Sequence, residues 1–91
     1  MSLRVLADEE NTMKNEKIQA VRDAFATVLR QKRNEAGLSQ EELGFRAGIA
    51  MRYVSLLETG KRQPTISTIA SICDALEVSM STFMKEVEGR L

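Results

Sequence analysis

The chain has 91 residues, enough for one small domain and too few for two. Hydrophobic residues make up 43%, aromatic residues 4%, and there is one proline, which favours an all-helical bundle over a sheet sandwich. Thirteen basic and thirteen acidic side chains cancel, and the chain has no histidine and one cysteine. We therefore expect no catalytic constellation, no metal site and no cofactor.

The N-terminal stretch divides at about residue 15. Residues 1–14 mix charged and polar types without clear periodicity and are predicted to form a flexible tail. Asn15 is a plausible cap for a long first helix, which Gly37 ends. The apolar residues of this helix recur at helical spacing and are Ile18, Val21, Phe25, Val28, Leu29 and Ala36. Its first turn either lies against a second subunit or is solvated, and the spacing does not decide between the two.

The stretch 39–60 predicts two short helices joined by a tight turn. Ser39 and Glu42 have the spacing of a capping box, which starts a helix near Gln40. Gly48 suits the left-handed residue that ends this helix. Gly44 would let the second helix approach closely. The second helix would turn the aliphatic residues Ile49, Val54 and Leu57 inward. Gly60 would end this helix.

Two further helices are predicted after a loop at residues 61–65. Thr65 would cap the first, whose inward stripe would contain Ile66, Ile69, Cys73 and Leu76. The last would begin at Val78 and Ser79, with an apolar stripe of Met80, Phe83, Met84, Val87 and Leu91. This stripe exceeds what one small core needs, so we predict a dimer interface at Met80, Phe83, Met84 and Val87, although such a stripe also suits plain core packing.

Cys73 falls on the inward stripe of its helix and is predicted to be a small core residue rather than a redox thiol. A lone cysteine agrees with a reducing compartment, and no apolar run approaches the roughly 20 residues of a membrane span. We expect a cytoplasmic protein without a membrane partner.

The charge is unevenly distributed. Residues 30–63 hold seven basic and four acidic side chains, whereas residues 64–91 hold two basic and four acidic ones. The positive charge therefore lies with the two-helix motif, as an anionic partner would require.

The motif resembles the helix-turn-helix of the phage repressor and Cro (XRE-like) family, which includes restriction-modification controller proteins. The resemblance covers about residues 22–84. Besides Glu58 within the motif, matching residues outside it include Arg30, Arg33, Gly37, Leu38, Lys61, Arg62, Pro64, Ile69, Leu76 and Val78. It implies a compact five-helix bundle at residues 15–91. It also implies a transcriptional regulator that binds double-stranded DNA as a homodimer at a two-fold symmetric operator.

In this family the second motif helix lies in the major groove, and the first crosses the DNA backbone. The resemblance implies base contacts from Ala50, Met51, Arg52, Ser55 and Leu56. Arg52 is the strongest candidate, because a guanidinium can donate two hydrogen bonds to guanine. Relatives commonly carry polar residues where this chain has Ala50 and Met51, so the target sequence is not implied.

Gln40 corresponds to a glutamine that binds phosphate in relatives. Phosphate contacts are expected from this residue and others around the motif, namely Ser39, Gln40, Arg46, Tyr53, Lys61 and Arg62. Arg33 and Glu58 correspond to an arginine and a glutamate that form an inward ion pair in relatives. We carry that role over as structural.

A second hypothesis belongs to another class. The chain could be an antitoxin or bridging factor whose main partner is another protein, such as a toxin or a polymerase. It would use the last helix or the N-terminal tail.

Overall fold

The computed structural model describes the backbone of residues 3–91 and the side chains of residues 14–91. Over this range the chain forms five helices and no strand, so the prediction of an all-α five-helix fold is confirmed. The helices are α1 (Leu3–Glu35), α2 (Gln40–Ala47), α3 (Met51–Glu58), α4 (Ile66–Leu76) and α5 (Met80–Glu88).

Side-chain caps begin three of these helices, two of them at the predicted cap residues Ser39 and Thr65. The Glu42 backbone N–H donates to Ser39 Oγ at 3.0 Å, and the Ser39 N–H donates to Glu42 Oε1 at 3.1 Å. The Ser39 backbone N–H, and after it the Ser39 side chain, lower the pKa of the Glu42 carboxyl below its usual value by hydrogen bonding to it. Thr65 and Ser79 accept bonds at the starts of α4 and α5. Each cap satisfies a backbone donor that the helix itself leaves unpaired.

The predicted start of the first helix is wrong. α1 begins at Leu3 and runs through Asn15 without a break. No proline or glycine occurs before Gly37, and most residues of this stretch have good helix propensity, so one cap-forming residue does not interrupt the helix. The division into a tail at residues 1–14 and a domain at 15–91 stays a prediction.

The core lies where α1, α4 and α5 pack behind the two motif helices. The rings of Phe25 of α1 and Phe83 of α5 pack at a tilt of 50°, with their centroids 5.1 Å apart. Val54, Leu57 and Leu43 are completely buried in the same core. Cys73 is buried as predicted, and this burial raises the pKa of its thiol.

Burial corrects several predictions. Phe83 and Val87 are 0% and 1% exposed, so they belong to the core of the protomer and are not available to a partner. Ile66, the first residue of α4, is 76% exposed because the core ends one turn further along, at Ile69. Ala36 is exposed because it follows the last residue of α1 and no longer continues its buried face.

Candidate nucleic-acid interface

α2 and α3 cross at Gly44. A Cβ atom on this glycine would lie 2.7 Å from the carbonyl oxygen of Ile49 and 3.3 Å from the backbone nitrogen of Met51. Both atoms belong to the backbone, so a larger residue would have to push the helices apart. The prediction that Gly44 permits a close approach is confirmed.

The turn between the helices depends on Gly48, which adopts φ 72° and ψ 29° in the left-handed region. The Ile49 N–H then donates to the carbonyl of Gly44 at 2.9 Å, which closes the end of α2. Ile49 itself is half-buried and packs against the core. The turn therefore sets the angle at which α3 leaves α2.

One side of α3 is buried, and the other side faces the solvent. Val54, Leu57 and Glu58 are buried. All five predicted base-reading residues keep surface on the outward side: Ala50, Met51 and Arg52 are exposed, and Ser55 and Leu56 are half-buried. Ala50 begins the helix without a side-chain cap. The exposed N-terminal part of α3 has the size and shape to enter a major groove.

The predicted phosphate-binding residues divide into two groups. Arg46, Lys61 and Arg62 are exposed cations, and Ser39 is exposed with its hydroxyl bound to the Glu42 N–H. Gln40 and Tyr53 are half-buried, and Tyr53 packs against the core. The exposed cations can move to meet a phosphate, whereas Gln40 and Tyr53 are held by the fold.

The predicted ion pair joins α1 to the end of α3. Arg33 Nε donates to Glu58 Oε2 at 2.6 Å and Arg33 Nη2 to Glu58 Oε1 at 2.9 Å. The Glu58 side chain is 3% exposed and that of Arg33 is 13% exposed. The hydrogen bond to Glu58 raises the pKa of Arg33. The bidentate geometry fixes α3 against α1.

Glu58 has one further partner that the sequence analysis missed. Gln40 Nε2 donates to Glu58 Oε1 at 3.2 Å, which links the first residue of α2 to the last residue of α3. The two residues are 18 positions apart, and only the crossing angle of α2 and α3 brings them together. No spacing signal in the sequence predicts that contact.

The loop after α3 is also tied to α1. Gln19 Nε2 donates to the Gly60 carbonyl at 3.1 Å, and the Lys61 N–H donates to the Leu56 carbonyl at 3.0 Å. Lys61 and Arg62 follow directly on this anchored turn. Both side chains are exposed next to the end of α3.

Within the described residues, no helix is both long and apolar enough to cross a membrane. Among the same residues no group of three or more histidine, cysteine, aspartate or glutamate side chains is placed to hold a metal ion.

Comparison with known proteins gives consistent matches. A helix-turn-helix family model matches residues 29–83. Over 47 residues the chain is 47% identical to the uncharacterised HTH-type transcriptional regulator y4dJ of Sinorhizobium fredii, a match that covers 52% of this chain and 61% of that regulator. The chain thus spans less than two thirds of the length of the curated relatives it matches first.

Solved structures resemble this fold over most of its length. The clp gene regulator ClgR from Corynebacterium glutamicum has a TM-score of 0.72 at 30% identity, covering 76% of this chain and 90% of that one. The restriction-modification controller protein C.Esp1396I, solved as a tetramer with its natural 35 base-pair operator, has a TM-score of 0.71 at 27% identity. That match covers 77% of this chain and 92% of the controller protein.

Proposed function

The chain belongs to the helix-turn-helix family, and on that premise we propose that it is a transcriptional regulator that binds double-stranded DNA as a homodimer at a two-fold symmetric operator. The observation that carries this proposal is the outward face of α3. Its N-terminal residues Met51 and Arg52 are exposed, while Gly44 and the Arg33–Glu58 pair hold the helix rigidly against α2 and α1. A helix presented in this way can enter the major groove in one orientation.

Comparison supports the same activity. The relative y4dJ is an HTH-type transcriptional regulator, ClgR is a clp gene regulator, and the controller protein C.Esp1396I was solved as a tetramer in complex with its operator. The charge distribution of this chain also agrees, because the segment from Arg30 to Gln63 is net positive within a neutral protein. Counterion release from DNA would then supply sequence-independent affinity.

We assign base reading to the N-terminal part of α3. Arg52 would donate two hydrogen bonds to a guanine, and Met51 and Ala50 would make apolar contacts such as one with a thymine methyl group. Ser55 and Leu56, half-buried further along the helix, would contact the edge of the groove. Lys61, Arg62 and Arg46 would neutralise phosphates around it, with Ser39, Gln40 and Tyr53 contacting the backbone through neutral groups.

Arg52→Ala and Lys61→Ala are expected to affect DNA binding differently. Arg52→Ala should relax the preference at one base pair of each half-site, by about 1–3 kcal/mol of discrimination. Lys61→Ala should weaken binding to all duplexes about equally and lower the slope of log affinity against log salt by about 0.9 for each bound subunit. Fluorescence anisotropy with matched duplexes over a salt series measures both. Identical behaviour of the two variants would contradict the assignment of Arg52 as a base reader.

The homodimer would use an apolar surface between α1 and α5. Met80 and Met84 are half-buried, and the predicted interface is retained there although Phe83 and Val87 are excluded from it. An open cavity of about 360 Å³ between these helices is lined by the apolar residues Val21, Met84 and Leu91, by the polar residues Ser81, Lys85 and Glu88, and by Val87, which is 1% exposed. Ile18, 43% exposed, lines a neighbouring cavity that also contains Val21. Ile18, in the turn where the first helix was predicted to begin, thus adjoins the α5 surface. This position favours the placement of that turn against a second subunit.

Met84→Lys is expected to shift the protein from dimer to monomer, because it places a charge in the middle of this apolar surface. Thr82→Lys is the matched control: it adds the same charge at an exposed position on the opposite side of α5. Sedimentation velocity over a range of protein concentrations measures both, with circular dichroism to show that each variant is folded. Equal dissociation in the two variants, or none in either, would argue against this surface.

A further inference from the structure

The contact between Gln40 and Glu58 lies at the junction of the two motif helices. Gln40 is the first residue of α2 and is half-buried, and its Nε2 donates to Glu58 Oε1 at 3.2 Å. A primary amide nitrogen carries two hydrogens. One of them is used by Glu58, which leaves the other to donate in a direction fixed by the first bond.

Glu58 is itself held in place from several sides. Arg33 donates two hydrogen bonds to its carboxylate, and Arg30 Nη1 donates to its backbone carbonyl at 3.4 Å. The carboxylate is 3% exposed. Glu58 is therefore a rigid acceptor, and a glutamine bonded to it loses its rotamer freedom before any ligand arrives.

Charge makes this arrangement compatible with a phosphate. A bare carboxylate next to the first turn of α2 would repel an anion, but the bidentate bond with Arg33 neutralises Glu58 locally. The start of α2 adds the positive end of its helix dipole. An oriented amide donor at this position matches a phosphate oxygen of a DNA backbone.

We propose that Glu58, besides its structural ion pair, is a positioning residue for DNA binding: it orients the Gln40 amide so that the second N–H donates to a DNA phosphate. The proposal rests on the proposed function, because it requires that α2 crosses the DNA backbone. It goes beyond that function by connecting the last residue of the groove-binding helix to a phosphate contact made by the preceding helix.

A double-mutant cycle with the full chain tests this coupling. The variants are Gln40→Ala, Glu58→Gln and the two combined, and the probe is a duplex of about 30 base pairs of fixed arbitrary sequence at low salt, since phosphate contacts do not depend on sequence. Gln40→Ala should weaken binding roughly tenfold, the range for a hydrogen bond to a charged group, without changing the salt slope because the amide is neutral. Introduced into the wild type, Glu58→Gln should weaken DNA binding severalfold. Introduced into the Gln40→Ala protein, it should weaken DNA binding less than about twofold.

Additive effects would overturn the proposal, because a purely structural Glu58 would weaken binding equally in both backgrounds. Folded fractions from circular dichroism correct the affinities. Gln40→Asn provides a test that does not depend on the folding of a Glu58 variant. Its amide is one methylene shorter and cannot reach Glu58 and the phosphate together, so it should bind as weakly as Gln40→Ala. Retention of wild-type affinity by Gln40→Asn would also overturn the proposal.

The side-chain amide of Gln40 gives a readout without DNA. Its ¹⁵N heteronuclear NOE should be close to that of the α2 backbone in the wild type and should fall in Glu58→Gln. A mobile amide in the wild type would contradict positioning even if the protein binds DNA well. Conversely, a rigid amide in a protein that does not bind the duplex would show that the proposed function is wrong. The proposed contact between Gln40 and a phosphate would then be wrong as well.

Discussion

Arg33→Met is expected to lower the free energy of unfolding by about 3–5 kcal/mol, the usual cost of removing one partner from a buried ion pair. Glu58, which is 3% exposed, would lose both guanidinium bonds, at 2.6 and 2.9 Å, and be left buried without a charged partner. The Gln40 amide is a neutral donor and cannot replace them. Because a domain of this size has a total stability of roughly 5–14 kcal/mol, the variant should unfold at a much lower urea concentration.

Lys32→Met is the matched control for Arg33→Met. Lys32 precedes Arg33 on α1 and also forms an ion pair, with its Nζ 2.7 Å from Glu86 Oε2. The Glu86 side chain is 47% exposed, so this pair is solvated and should contribute little. Urea denaturation followed by circular dichroism compares the two variants. Similar losses would show that the Arg33–Glu58 pair is not energetically distinct from a surface pair.

A second substitution separates the cost of an unpaired charge from that of lost packing. Adding Glu58→Leu to Arg33→Met removes the stranded carboxylate and replaces it with an apolar side chain. The double variant should therefore be more stable than Arg33→Met alone. A further loss of stability on adding Glu58→Leu would mean that the carboxylate stabilises the fold through partners other than Arg33.

Gly44→Val is expected to lower the free energy of unfolding by about 3 kcal/mol, at the upper end of the usual cost of overpacking. The first added carbon alone would lie 2.7 Å from the Ile49 carbonyl oxygen. α2 and α3 would have to separate, which would also displace Met51 and Arg52 relative to the start of α2. DNA affinity should fall even at temperatures where the variant remains folded.

Gly89→Val is the control for Gly44→Val. Gly89 follows α5 with an ordinary φ of −62°, and a Cβ there would lie 3.4 Å from the Lys85 carbonyl oxygen, an ordinary van der Waals contact. Its effect on stability should stay within about 0.5 kcal/mol. Urea denaturation measures the free energy of unfolding of both variants. A small loss of this free energy for Gly44→Val would show that the crossing of α2 and α3 is less tight than the structure indicates.

The sequence predicted the motif well because its signals are local. The capping box at Ser39 and Glu42 and the left-handed turn at Gly48 each depend on a few consecutive residues. The ion pair of Arg33 and Glu58 connects residues 25 positions apart and was expected only through the family resemblance. The exposed position of Arg52 followed from the period of α3, which is short and has one clearly apolar side.

Other features depend on packing that periodicity does not specify. An apolar stripe on α5 predicts burial but does not distinguish the protomer core from a partner, so Phe83 and Val87 were placed on the wrong surface. Ile66 fits the stripe of α4 but lies beyond the edge of the core. Ile72, completely buried on the same helix, was missed because it adjoins Cys73 on a face wider than one stripe.

Selection of binding sites from a random duplex library with the purified protein tests the central claim most directly. We expect one enriched sequence with two-fold symmetry, its half-sites about 34 Å or one helical turn apart, as two copies of α3 in adjacent major grooves require. No enrichment, with binding that disappears near physiological salt, would contradict sequence-specific regulation. The fold would then serve a protein partner, and the apolar surface between α1 and α5 would be the first place to look for it.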